Sequence, residues 1–517
     1  MKKKLLFGFF SETFSFPASI LSSLAIEANW ECDLVFFDIA DTEQEIANKI
    51  EQSKPDLVAL TLRTFERNQA VRVAQIAHTM GCKVIAGGSH PTVCPDDLGK
   101  KPFFDGVVIG DGVGVFQQIL SDYQNLSGQQ IIGKPHQDLS KYYANRLFTE
   151  KQIEEIRKSK MHYILTSMGC PFECTFCASQ PYKPFQLQDV INEIIQFVNE
   201  YGVERIVIFD DTFGLNLKRV KKFRKLLHEA NVSPIFSLQM RASIFSEEFA
   251  KEFVAMGVTE LGFGLETVSE KLLKFLNKKA TVEDAYKSIE ICRKYNLFPK
   301  INLLFGLPTQ DQEDYENTLK FVKEMKPDAI FQHFYVPLPG SELYRYCIDH
   351  GYMPDDLSFD NYFGIDPKQK EFKGLLSNSG MLKNIDYDMA SYYMNEIKRV
   401  TEDRLSPTIL AKARIADEKN WILFGAGDYF HRVLEILSRH QWKNFLGYVN
   451  SSPAVFKDRV YDIKLDVYEW GRRETIPEIV LTTYHYDKNM KNTASIILSE
   501  RYDYHGEVRS IATFGNN

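Results

Sequence analysis

Gly169-Cys170-Pro171-Phe172-Glu173-Cys174-Thr175-Phe176-Cys177 decides how the middle of this 517-residue chain is read. Three thiols at C-x3-C-x2-C spacing fit an iron-sulfur cluster. A four-iron cluster takes one thiolate per iron, so this motif leaves one iron open to a small molecule. A structural zinc site would add a fourth ligand in a second short motif, and a thioredoxin-like pair would need only two cysteines. The other five cysteines, Cys32, Cys82, Cys94, Cys292 and Cys347, stand apart from one another. That is the usage of a reducing compartment, so a cytoplasmic protein without disulfides is expected.

Working outward, residues 162–166 read as a strand that delivers the cysteines to its carboxyl end. Further strands are expected at 205–209, 235–239, 260–264, 300–305 and 329–336, separated by helix-period segments such as 190–199. Six such units predict a partial (β/α)6 TIM barrel with its site on the carboxyl-terminal rim. Upstream, strands at 5–10, 32–37, 57–61, 83–86 and 106–109 alternate with helices at 18–28, 42–52, 68–80 and from 113. This predicts an α/β, Rossmann-like doubly wound sheet whose ligand lies at the strand ends, here Gly87-Gly88-Ser89-His90-Pro91 and Gly110-Asp111-Gly112.

The expected division is an N-terminal domain over 1–130, a polar linker over 131–160, the barrel over 161–345, a C-terminal helical or lid segment over 346–417, and a small Rossmann-like α/β domain over 418–517. The aromatic stretch 344–372, with Tyr352 and Tyr362, is expected to help close the pocket, although packing alone would also explain it. In the last domain Gly425 and Gly427 match a dinucleotide fingerprint, but Phe430 and Asn450 stand where its third glycine and its acid belong. A docking or assembly module is the better reading.

A net charge of −7 and a pI near 6.0 leave no basic stripe of the kind nucleic acid requires, so none is expected as a partner. The opening MKKKLLFGFF reads as a first strand, since Ser11-Glu12 follow without a cleavage site. No stretch approaches the ~20 apolar residues of a membrane helix.

The cysteine motif, with Phe176 before its last cysteine, resembles the hallmark of the radical S-adenosylmethionine (SAM) superfamily. So do FDDTF at 209–213, MRAS at 240–243, GLET at 264–267, GLP at 306–308 and PLPGSELY at 337–344, at successive strand ends. The resemblance implies a 4Fe-4S cluster held by Cys170, Cys174 and Cys177, whose open iron chelates SAM and whose electron cleaves it to a deoxyadenosyl radical. Residue by residue, it implies Phe176 near the adenine, Asp210 and Asp211 near the SAM amino group, Arg241 on its carboxylate and Glu266 on the ribose. The alternatives are helix capping for the three acids and a structural ion pair for Arg241.

The N-terminal sheet is similar to the cobalamin-binding domain of one branch of that superfamily. KPDLVALTLRT at 54–64, VIAGGSHPTVCPDDL at 84–98 and DGVVIGDGVGVF at 105–116 carry the likeness. It implies a corrin at Thr61, Arg63, Gly87, Gly88, Gly110, Asp111 and Gly112, the glycines letting backbone approach closely. Two departures stand out. The D-x-H-x-x-G motif that ligates cobalt from below is absent, and Val113 replaces an acid in the G-E-G-E of many relatives. His90 is expected as a loop or phosphate contact, or as structural.

The implied function is a cobalamin-dependent radical SAM enzyme, a methyltransferase acting on an unactivated carbon of a small-molecule substrate. A flavodoxin or ferredoxin would be its electron donor. Cyclisation or rearrangement without methyl transfer, a degenerate cobalamin domain, and a non-catalytic sensor are the rivals.

Overall fold

The computed structural model describes residues 2–10, 16–134, 147–354, 358–362 and 382–416, and shorter stretches beyond, chiefly four strands between 421 and 512. Two compact units divide the chain, one of residues 1–154 with 161–392, the other of 155–160 with 393–517.

In the first unit, β1 (Lys4–Phe9), β2 (Glu31–Phe36), β3 (Leu57–Thr61), β4 (Lys83–Gly87), β5 (Gly106–Ile109) and β6 (Gln129–Ile132) form a sheet of order β2-β1-β3-β4-β5-β6. Every pairing is parallel. A parallel sheet is covered on both faces, which is why β3 is a near-continuous apolar run, LVALT. Leu6, Val58, Leu60, Val84 and Ala86 pack against Ile46, Ile50, Ala70, Val73 and Ala77 from the crossover helices Glu43–Ser53 and Arg67–Thr79. The sheet reverses its winding between β1 and β3, which places a ligand crevice at their carboxyl ends.

β6 runs across the expected boundary at residues 130/131, and the helix Glu150–Ser159 falls inside the segment expected to be a linker. The strand escapes a pattern reading because it is a short edge, QQII, with only one of its four residues even half-buried. Residues 135–146 lie outside those described.

The second sheet of this unit joins β7 (Met161–Ile164), β10 (Arg205–Ile208), β11 (Ile235–Met240), β12 (Val258–Glu266), β13 (Phe298–Phe305) and β14 (Ala329–Phe334) in chain order, all parallel. This is the expected open barrel of six units. Alternation is clear in β13, where Ile301, Leu303 and Phe305 are buried while Lys300, Asn302 and Leu304 are only half-buried. One face lies under helices and the other turns to the lumen. Between β7 and β10, β8 (Ser167–Met168) and β9 (Lys183–Pro184) make an antiparallel hairpin that encloses the cysteine loop. Two-residue strands carry no periodicity, so the sequence gives no sign of them.

In the other unit, β15 (Trp421–Gly425), β16 (Phe445–Asn450), β17 (Glu478–Thr483) and β18 (Val508–Ala512) form a parallel sheet of order β16-β15-β17-β18. Gly425 pairs with Asn450, while Gly427 and Phe430 lie outside the described residues. Within the segment 346–417 expected to be helical or a lid, a helix runs over Tyr387–Ala416, its first residues belonging to the first unit.

Candidate active site

The cysteine loop leaves β8 at Gly169, whose φ of +71° and proximity to the Gln180 and Pro181 carbonyls admit no side chain. Backbone bonds fix its path. Cys170 N donates to Gln180 O at 2.9 Å, Cys177 N to Cys174 O at 3.0 Å, and Thr175 N to Leu276 O at 3.0 Å. Asn277 Nδ2 donates to Glu173 O at 2.7 Å.

Cys174 is buried, Cys170 half-buried and Cys177 exposed as a residue. The Cys177 thiol itself is raised by desolvation, and further by Asp211, Cys174 and Cys170 around it. Bound cationic iron would relieve that concentration of negative charge. Among the described residues no three His, Cys, Asp or Glu could hold a single metal ion. A cluster with one thiolate per iron needs no such convergence.

Arg241, buried at the end of β11, reaches into this loop. Its guanidinium stacks 3.8 Å over Phe172 and Nη1 donates to Cys174 Sγ at 3.3 Å. Nε and Nη2 are buried without a partner. Unpaired buried donors of a cation are costly, and two of them in one planar fork fit an incoming carboxylate. The structural ion pair weighed for Arg241 is not formed among the described residues.

Glu266 ends β12 at φ +68°, a conformation a non-glycine residue holds only when its surroundings insist. Its Oε1 accepts from Lys278 Nζ at 2.8 Å, both side chains being nearly buried. Lys278 Nζ in turn lies 5.3 Å from the Phe176 ring centroid. A Cβ at Gly264 would come 2.5 Å from Glu266 Oε1 and 3.2 Å from Lys278 Nζ, so a side chain there would displace this pair. Lys278 was not singled out by its sequence, because nothing in Asn277-Lys278-Lys279 separates it from surface lysines.

Asp210 departs from expectation. Its oxygens accept from Thr166 N at 2.6 Å and Oγ1 at 2.5 Å, and from Ser167 N at 3.2 Å and Oγ at 2.8 Å. It clamps the strand end that launches the cysteine loop, and burial raises its carboxyl to about 6. Asp211 is exposed and accepts from Ser179 Oγ at 2.9 Å. None of the three acids caps a helix: Asn216 caps Leu217–Glu229 and Ser269 caps Glu270–Phe275.

At the N-terminal sheet, Thr61 closes β3 half-buried, opposite Gly87. Arg63 turns back to pair with Glu66 at 2.5 Å. A Cβ at Gly88, with φ +108°, would meet Leu62 O at 2.6 Å, so this glycine serves the chain's own packing. Gly110, at φ +84°, faces open space, and Gly87 is similarly clear. Gly112 precedes the helix Val113–Asp122, where Asp111 Oδ1 accepts from Val113 N at 3.0 Å. Asp111 Oδ2 meets Lys183 Nζ of β9 at 2.6 Å.

His90 is fully buried, with Nε2 3.0 Å from Asp97 and Nδ1 3.4 Å from Thr64. Arg67 shares Asp97 and also pairs with Asp360. His90 is therefore structural. Tyr352 packs beside Leu343 and Cys347 and stacks near Tyr346, while the Tyr362 side chain lies outside the described residues. No helix among the described residues is long and apolar enough to cross a membrane.

Residues 164–322 match the family model of the Radical SAM superfamily, and residues 9–120 match that of the B12 binding domain. An uncharacterized methyltransferase of Pyrococcus horikoshii is 27% identical over 382 residues, 68% of this chain and 83% of that protein. The anaerobic magnesium-protoporphyrin IX monomethyl ester cyclase of Rubrivivax gelatinosus is 22% identical over 418 residues, 74% of each. The radical SAM methyltransferase TsrM of Kitasatospora setae, solved with cobalamin and a 4Fe-4S cluster, shares the fold with a TM-score of 0.56 at 15% identity. That match covers 68% of this chain and 78% of TsrM.

Proposed function

The chain belongs to the radical SAM superfamily and carries a B12-binding domain, and on that premise we propose that it methylates an unactivated carbon of a small molecule. Its cofactors are a 4Fe-4S cluster, SAM and cobalamin. When bound, the cluster and SAM supply a hydrogen-abstracting radical and cobalamin carries the methyl group. An electron carrier of the flavodoxin or ferredoxin class supplies the electron.

Cys170, Cys174 and Cys177 hold the cluster. Arg241 receives the SAM carboxylate on its two unpaired donors, and this fork beside Cys174 is the observation that carries the reading. Glu266, poised by Lys278, faces the ribose, and Phe176 lies against the base. Asp210 holds Thr166 and Ser167 so that the loop leaves β8 in one geometry. Thr61, Gly87, Gly110 and Asp111 border the cobalamin crevice, with Gly88 and Gly112 shaping its backbone and Arg63 at its margin.

A cyclisation without methyl transfer is the second reading, favoured by the likeness to the Rubrivivax cyclase over three quarters of the chain. Anaerobic reconstitution with iron, sulfide, cobalamin, SAM and reductant, followed by product analysis, separates the two. Deoxyadenosine together with S-adenosylhomocysteine supports methyl transfer; deoxyadenosine alone supports cyclisation.

A further inference from the structure

The helix Leu217–Glu229, LKRVKKFRKLLHE, follows β10 and packs Val220, Phe223 and Leu227 against the barrel. Lys218, Arg219, Lys221, Lys222, Arg224 and Lys225 give it six cations against the single acid Glu229, in a chain whose net charge is −7. The arrangement works against the helix that carries it. Lys218 and Arg219 sit in the first turn, where no acid offsets the positive end of the helix dipole. Lys218–Lys222 and Lys221–Lys225 place like charges one turn apart. Solvation alone would be served as well by mixed charges.

Neighbouring acids neutralise only part of the face. Glu252 is used by Arg224 at 2.7 Å, Glu247 by Lys294 at 2.6 Å, and Glu193 by His162 at 2.6 Å. Lys225 is 3.6 Å from Glu229 on its own helix. Lys218, Lys221 and Lys222 are exposed and have no acidic partner among the described residues. Lys221, Lys222, Arg224, Lys225 and His228 line a shallow groove.

This face is also tied to the cysteine loop. Arg219 Nη2 donates to Thr166 O and Phe185 O at 2.8 Å each, gripping the strand ends on both sides of the hairpin. Thr212 Oγ1, five residues before the helix begins at Leu217, lies 3.9 Å from Cys170 Sγ.

We propose that the basic face of Leu217–Glu229 is the docking surface for an acidic one-electron carrier protein, a reduced flavodoxin or ferredoxin, which loses one electron there as the cluster gains one. The inference rests on the radical SAM reading above. Complementary charge steers such an encounter and makes its rate depend on ionic strength.

The test follows bleaching of the reconstituted cluster by stopped flow, with photoreduced flavodoxin or with dithionite as reductant. The variants are K218E/K221E/K222E and, as an equal charge change on distant helices, K287E/K320E/K323E. With flavodoxin the wild-type rate should fall about tenfold between roughly 50 and 300 mM salt. At low salt the helix variant should be at least about tenfold slower, with the distant variant within about twofold of wild type. Dithionite should reduce all three alike. The proposal is overturned if the helix variant matches wild type with flavodoxin, if the distant variant slows as much, or if dithionite reduction falls in parallel. A wild-type protein that assembles no reducible cluster would overturn the enzymatic reading itself, and the docking surface with it.

Discussion

Lys183 Nζ lies 2.6 Å from Asp111 Oδ2, joining the hairpin around the cysteine loop to the turn that ends β5 of the B12-binding sheet. The face that would hold the cluster with SAM and the face that would hold cobalamin are thus linked by one charged pair. Both side chains are about a third exposed, so screening limits its worth to about 0–1 kcal/mol. Its value is geometric, since misplacing reacting groups by about 1 Å can cost a hundredfold in rate.

Lys183→Met and Asp111→Asn should therefore barely alter melting temperature. Deoxyadenosine formation should stay within about threefold of wild type while S-adenosylhomocysteine formation falls at least about tenfold. Chromatography of both products checks this. A parallel loss of the two would show that the pair serves only the cluster loop.

Arg241→Lys keeps the charge but removes the planar fork. Charge-assisted hydrogen bonds are each worth about 1.5–3 kcal/mol, so SAM affinity should fall about 10- to 100-fold. Iron content should be unchanged. Calorimetry on the reconstituted protein reads the affinity, and a wild-type value would remove Arg241 from the SAM site.

Lys278→Met leaves Glu266 buried and uncompensated, which should cost about 3–5 kcal/mol of stability. Removing both charges in Lys278→Met/Glu266→Leu should restore most of the loss, because the pair offsets its own desolvation. Urea midpoints of the singles and the double provide the cycle. Additive losses would mean that the two side chains act independently.

Burial lifts the Asp210 carboxyl to about 6, above its value in an unfolded chain. Between about pH 4 and 6 the native state then binds a proton that the unfolded state has released. Asp210 should therefore make the protein more stable as pH falls through that window, by up to about 3 kcal/mol. Asp210→Asn should flatten the slope. Denaturation midpoints at pH 5 and 7 measure the difference, and an unchanged slope would show that Asp210 does not titrate there.

What the sequence made legible was what repeats or what carries rare chemistry. Strand-like apolar runs alternating with helical segments announced the two six-stranded parallel sheets, and the position of the cysteines just past the strand expected at 162–166 placed their loop beyond β7. Spacing could not say where a carboxylate turns. Asp210 and Asp211 are adjacent, yet one is buried against Thr166 and Ser167 while the other meets Ser179 at the surface. Lys183 and Lys278 act through partners 72 and 12 residues away, and a single lysine carries no pattern that reveals such a partner.

The most direct test of the central claim needs no knowledge of the substrate. Reconstituted protein with reduced cobalamin is incubated anaerobically with SAM carrying a deuterated methyl group, and the corrin is analysed by mass spectrometry. A methyltransferase that works through cobalamin predicts the labelled methyl on the corrin, with a matching amount of S-adenosylhomocysteine. An unlabelled corrin beside abundant deoxyadenosine, or a protein that retains no corrin, would contradict it.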